Sequence, residues 1–68
     1  MIRAKAKELK IARIKAGLLQ KEVAEKIGIT ANAYAQIESG RKSTSPNTAK
    51  EICETFSKTF DNLFILNE

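Results

Sequence analysis

The sequence has no histidine, one cysteine, one proline and three glycines. Without histidine, the commonest general base and the commonest metal ligand are both missing. Cys53 has no partner for an internal disulfide, which fits a reducing cytosol. Beside Ile52 and Phe56 on a helix, it reads as a small buried apolar residue rather than a reactive thiol. No apolar run approaches the roughly 20 residues of a membrane span. The charged, Ala-rich N-terminus lacks the apolar core of a signal peptide, so a cytoplasmic protein is expected. A Gly-rich phosphate loop and a Cys/His cluster are also absent. Glu51 and Glu54 resemble a carboxylate pair, but on an amphipathic helix they read as a solvated face. Neither an enzyme, a metal site nor a cofactor is expected.

What is present is one small domain, residues 1–68. A chain of this size buries only about 60% of its unfolded surface. Its net charge of +4 is unevenly spread. Residues 1–42 carry ten basic groups against four acids, about +6, and residues 43–68 carry two against four, about −2. An anionic partner on the N-terminal side follows, either nucleic acid or a membrane surface.

Five helices around one core are expected. The first spans residues 2 to 16, with Leu9, Ala12 and Ala16 inward and Ile2 and Ala6 extending the line. Ile11 and Ile14 form an adjacent stripe, which predicts burial on a second flank. Gly17 ends this helix and Leu18 joins the core. Ser45-Pro46 reads as an N-cap followed by proline at the first helical position. The helix it opens runs to about Phe56, with Ala49, Ile52, Cys53 and Phe56 inward. Thr59 caps a last short helix, from which Phe60, Leu63 and Phe64 close the core.

The stretch QKEVAEKIGITANAYAQIESG, Gln20 to Gly40, organises the rest. Val23 and Ile27 lie on one helix face with Ala24 beside them, and Lys21, Glu22, Glu25 and Lys26 lie opposite. Gly28 suits a left-handed helix end. Ile29 is an apolar plug, and Thr30 caps a helix from Ala31 to Ser39. On it Tyr34, Ile37 and Glu38 share one side. The small Ala24 lets the second helix cross closely, which is the geometry of a helix-turn-helix at residues 20–39.

These residues, in the pattern AGLLQKEVAEKIGIT…YAQIESGRK with TAKEI in the next helix, resemble the lambda-repressor-like helix-turn-helix family of phage repressors and Cro proteins. The resemblance covers roughly residues 5 to 66. It implies a compact all-α, five-helix DNA-binding domain. Leu19 departs from the family pattern, which has Ser or Thr there, and leucine cannot cap. Either water completes that helix end or Leu19 packs against another group.

In such a domain the second helix lies in the major groove. Thr30, Ala31, Asn32, Ala35 and Gln36 are the candidate base-contacting residues. Asn and Gln each match adenine N6 and N7, and alanine suits the thymine methyl, so A·T-containing half-sites are expected. Relatives often carry a long side chain at the position of Ala31, so one base fewer would be read here. Arg13, Gln20, Lys21, Ser39, Arg41 and Lys42 are the candidate phosphate contacts. The resemblance gives Gln20 a bridge between a phosphate and the recognition helix. It also pairs Arg13 with Glu38, linking helix one to helix three.

The function so implied is sequence-specific binding of double-stranded DNA as a transcriptional regulator. A dimeric repressor on an inverted-repeat operator is expected, since one recognition helix reads too few base pairs. Phe60, Leu63, Phe64, Ile65 and Leu66 are the candidate dimer interface, with Ile65 and Leu66 pairing as a short strand or packing across the axis. Two other classes stay open. One is an antitoxin-like or other protein-interaction module, suggested by the Ala-rich recognition face and apolar C-terminus. The other is a basic amphipathic membrane-surface helix at residues 2–16, weakened by its lack of aromatic anchors.

Overall fold

The computed structural model describes residues 1–67; Glu68, counted above among the C-terminal acids, lies outside them. The order is β1 (Ile2–Ala4), α1 (Ala6–Lys15), α2 (Gln20–Ile27), α3 (Ala31–Glu38), α4 (Pro46–Phe56), α5 (Phe60–Leu63) and β2 (Phe64–Leu66). Five helices therefore surround one core, as an all-α helix-turn-helix domain requires, and a two-stranded ribbon joins the two ends of the chain.

That ribbon corrects the expected first helix. Residues 2–4 are a strand, antiparallel to β2, with Ile2 opposite Leu66, Arg3 opposite Ile65 and Ala4 opposite Phe64. Ile2 and Ala4 are buried and Arg3 is half-buried, an alternation with the period of a strand. Arg3 and Ala4 are good helix formers, but such propensities amount to less than about 1 kcal/mol per residue, and non-local pairing overrides them. The Lys5 amide donates to the Leu63 carbonyl at 2.7 Å, sealing the strand–helix corner. On its other edge β1 accepts from Thr44, whose N–H lies 2.9 Å from the Ile2 carbonyl.

Starting the helix four residues later changes what it buries. Only Leu9 and Ala12 of α1 are buried. Ala6 is exposed, and Ala16 becomes an exposed C-cap. Ile11 and Ile14 also face solvent rather than a second flank, at 38% and 57% exposure. The core is completed instead by Ile2, Ala4, Leu63 and Phe64 from the two ends of the fold. Phe64 belongs to β2, not to the last helix, and stacks on Phe60 with ring centroids 5.5 Å apart.

The other helix boundaries follow local chemistry. Ser45 Oγ accepts from the Thr48 N–H at 3.2 Å, with Pro46 opening α4. Leu19, itself 59% exposed, offers α2 no acceptor; Glu22 bends back instead and accepts from the Leu19 N–H at 2.7 Å. The helix end thus keeps the reciprocal half of a capping box. At the end of α4, Ser57 takes φ 53°, a left-handed conformation that costs an L-residue about 1–2 kcal/mol.

A glycine would hold that turn without strain. Ser57→Gly should therefore stabilise the fold by about 0.5–1 kcal/mol despite the extra freedom of its unfolded chain. A higher urea midpoint at unchanged slope would show it; an unchanged or lower midpoint would mean the left-handed serine is not strained.

Candidate nucleic-acid interface

The joint between α2 and α3 is three residues. Gly28 ends α2 at φ 77°, and the Ile29 N–H returns to the Ala24 carbonyl at 3.0 Å. Ile29 is half-buried against the core, and Thr30 Oγ1 accepts from the Ala33 N–H at 3.0 Å to open α3. Ala24 is 1% exposed, so nothing on α2 keeps α3 at a distance.

On α3, Tyr34, Ile37 and Glu38 point inward. A carboxylate at 4% exposure needs partners, and Glu38 has four. Its Oε1 accepts from Arg13 Nε at 2.8 Å and from the Tyr34 hydroxyl at 2.9 Å. Its Oε2 accepts from Arg13 Nη2 at 3.2 Å and from Gln20 Nε2 at 3.0 Å. Arg13 Nη1 donates further to the Leu18 carbonyl at 2.9 Å. One carboxylate thus gathers α1, α2 and α3, and all of its acceptor capacity is used.

Burial alone would raise the pKa of Glu38, but hydrogen bonds from Arg13, Gln20 and Tyr34 outweigh it and hold the carboxyl below its ordinary range. Burial, with the Glu38 charge behind it, pushes the Tyr34 phenol up, so it remains a neutral donor. The Arg13 guanidinium is pushed up by its hydrogen bond to Glu38.

The opposite side of α3 is the candidate reading face. Thr30, Ala31, Asn32 and Ser39 are exposed, and Ala35 and Gln36 are half-buried. Asn32, Ala35, Gln36, Ser39 and Arg41 line one shallow depression of about 280 Å³. The Gln36 carbonyl accepts from the Arg41 and Lys42 amides at 3.1 and 3.3 Å and from Ser39 Oγ at 3.1 Å. The side-chain amide of Gln36, by contrast, has no hydrogen-bond partner among the described residues. Arg41 and Lys42 are exposed on the loop that follows, and Lys21 is exposed on the first turn of α2.

A second depression, about 370 Å³, is lined by Ala6, Lys10, Arg13, Gln20, Ala35, Glu38 and Ser39. It brings Arg13, Gln20 and Ser39 together, and it includes Lys10, which the sequence reading passed over. Lys10 lies three residues before Arg13, on the same side of the helix, and that spacing was the available signal. Arg3 was also missed, and nothing local to it indicates where its side chain goes. Of the residues assigned to an interface between copies, Leu63 and Phe64 are 2% exposed and serve the chain's own core, whereas Ile65 and Leu66 are exposed on β2. Among the described residues there is no group of acidic and Cys side chains able to hold a metal ion, and no helix long and apolar enough to cross a membrane.

The Glu38 network predicts both coupling and a pH signature. Arg13→Met strands a buried carboxylate and should cost about 3 kcal/mol. Combined with Glu38→Gln it should lose clearly less than the sum, with a coupling of at least about 1 kcal/mol. Because the folded-state pKa is depressed, the advantage of wild type over Glu38→Gln should be full above pH 4.5 and fade as pH falls further. Denaturant titrations from pH 7 to pH 3 measure both; additive losses, or a pH-independent difference, would count against the network.

The helix pair, its three-residue joint and the carboxylate that ties it to α1 all lie within residues 9–63, over which the chain matches a helix-turn-helix family model. No curated protein and no solved structure matches it. The matched stretch is most of the chain, and the protein belongs to the helix-turn-helix family of lambda-repressor-like, Cro- and phage-repressor-type DNA-binding domains.

Proposed function

We propose that the protein is a sequence-specific transcriptional regulator that binds double-stranded DNA as a homodimer and represses by blocking polymerase. The observation that carries this reading is the outer face of α3. Asn32 and Gln36, one turn apart, share a depression with Ala35, Ser39 and the cation of Arg41. Two amides and two small side chains beside a positive charge suit base edges next to a phosphate. Thr30 and Ala31 extend the face toward the start of α3, where recognition helices lead into the major groove. Ser39, Arg41 and Lys42 take phosphates just beyond α3, and Gln20 and the free side of Arg13 take them in the depression that they share with Ser39, with Lys21 next to Gln20. A·T pairs at the centre of each half-site are what Asn32 and Gln36 suit best.

Dimerisation is assigned to the outer edge of β2. One edge of β2 pairs with β1, which leaves the backbone of its other edge unpaired, and Ile65 and Leu66 are 45% and 62% exposed. A two-fold axis there sets two α3 helices for successive major grooves, about 34 Å apart, on an inverted repeat. The exposed Ile11 and Ile14 favour a second reading, in which the same fold also meets another polypeptide, as an antitoxin would. A stoichiometric partner that co-purifies and survives nuclease treatment would decide for it.

Base readout and backbone positioning should separate in a salt titration. Gln36→Ala should cost about 1–3 kcal/mol on the selected site, little on random duplex, and leave the salt slope unchanged. Replacing Arg41 or Lys42 by Gln should weaken both DNAs and flatten the log–log slope by about one unit per lost contact, doubled in a dimer. If Gln36→Ala weakens both DNAs equally, α3 does not read bases.

For the dimer, sedimentation at micromolar concentration should give twice the monomer mass. Ile65→Asp with Leu66→Asp should give a folded monomer with weakened operator binding. A wild type that stays monomeric even on DNA would refute the two-fold arrangement.

A further inference from the structure

Arg3 is the one cation on the ribbon, and its guanidinium is committed. Its Nη1 donates to two carbonyls, Gly40 and Arg41, each at 2.9 Å. Those carbonyls lie just beyond the C-terminus of α3, where a positive charge is favoured by the helix dipole. The loop they belong to carries Arg41 and Lys42, which the proposed function assigns to DNA phosphates. It is held from two sides. The Arg41 and Lys42 amides are tied to the Gln36 carbonyl, and the Gly40 and Arg41 carbonyls are tied to Arg3.

Two further observations make this more than a stray surface contact. The backbone of β1 grips the other end of the same loop, through the Thr44 N–H and the Ile2 carbonyl at 2.9 Å. Ala4 also packs under the turn, its carbonyl lying 3.5 Å from where a side chain on Gly40 would begin. The loop is therefore clamped along its length by three successive residues of one strand. Moreover, among the described residues the sole ion pair is Arg13–Glu38. No carboxylate is paired with Arg3, Arg41 or Lys42 among the described residues, so the loop and its tether carry three unneutralised positive charges.

We propose that Arg3 is a positioning residue for DNA binding: it holds the loop of residues 40–42 so that Arg41 and Lys42 meet the phosphate backbone in register with α3. The inference rests on the phosphate role given to that loop. Pre-setting it removes the ordering cost that two flexible side chains on a free loop would meet on binding. Arg3 stands opposite Ile65 in the ribbon, so the clamp also joins the exposed edge of β2 to the DNA-facing loop.

The charge of Arg3 and its geometry can be separated. Arg3→Met removes both; Arg3→Lys keeps the charge but replaces a planar fork with a single ammonium on a shorter reach. The probe is a random-sequence duplex, titrated with the full-length protein over a range of KCl. Both variants should bind about three- to ten-fold more weakly than wild type, with urea midpoints showing them fully folded under assay conditions. In an Arg41→Gln, Lys42→Gln background, Arg3→Met should change affinity by less than about two-fold, because nothing is left for it to position. Amide exchange at Arg41 and Lys42 should quicken in Arg3→Met while the amides of Leu9 and Ile52 hold theirs.

Full binding by Arg3→Lys would mean that charge alone matters, and an undiminished loss in the loop-variant background would mean that Arg3 meets phosphate itself. Either result overturns the positioning role. Normal binding by Arg41→Gln with Lys42→Gln would remove the phosphate reading of the loop and this inference with it. Weak binding by that pair together with normal binding by Arg3→Met would overturn the inference alone.

Discussion

A carboxylate taken out of water has to be met by donors, and the geometry of this domain follows from where Glu38 finds them. Desolvating the group costs several kcal/mol, which only well-aligned, charge-assisted hydrogen bonds offset. Its four donors come from Arg13 on α1, Gln20 at the head of α2 and Tyr34 on its own helix. Only one mutual arrangement of the three helices satisfies all of them together. A rotated α3 would leave Glu38 or Arg13 buried and unpaired. The network therefore works as a register pin more than as a source of net stability. The packing of Val23, Ala24 and Ile37 supplies attraction without direction, and Glu38 supplies the direction.

The same pin decides how the surface charge is displayed. Arg13 and Glu38 cancel, so the excess over residues 1–42 is carried by the other cations, of which Arg3 and Lys5 are bonded to backbone carbonyls. α2 marks the gradient. At its N-terminus Gln20 lines a depression with Lys10 and Arg13, while at its C-terminus Lys26 and Ile27 line another with Glu51, Glu54 and Thr55. Eight residues of helix span about 12 Å, about one and a half Debye lengths at physiological salt, so the two ends present distinguishable potentials to an approaching polyanion. The acidic half of the sequence is thereby a repulsive back to a basic front, which favours one docking orientation over its reverse.

What was legible in the sequence is what local chemistry determines. Gly28 and Thr30 mark the joint because a left-handed turn and an N-cap each need particular residue types, and Tyr34, Ile37 and Glu38 show the inner face by spacing alone. The pairing of Arg13 with Glu38 was available only from family resemblance, since 25 residues separate them. The ribbon was not legible. Ile2, Arg3 and Ala4 fit a helix as well as a strand until their partners at Phe64, Ile65 and Leu66 are known, and no period within three residues can decide. The misreading of Ile11 and Ile14 descends from it, because the core space they were given is taken by residues from both ends of the chain. Leu19 was correctly seen as a missing cap, but its replacement by the Glu22 side chain depends on a rotamer that sequence does not specify.

The ribbon also sets the order in which the fold can become complete. Pairing Ile2 with Leu66 closes a loop of nearly the whole chain, whose entropic cost grows as about (3/2)RT ln n and is not recovered by three pairs of strand residues alone. It is recovered only once Phe64, Ile2 and Ala4 have a formed core to enter, so the ribbon has to be a late event, after the local contacts of α2 with α3. The loop of Gly40 to Lys42 is tethered to β1 and inherits that dependence. A chain with its helix-turn-helix formed but its ends unpaired would have the outer face of α3 in place and the neighbouring Arg41 and Lys42 loose. The pairing of β1 with β2 is thus what gives the loop beside the helix pair a fixed shape, although neither strand lies near that pair in sequence.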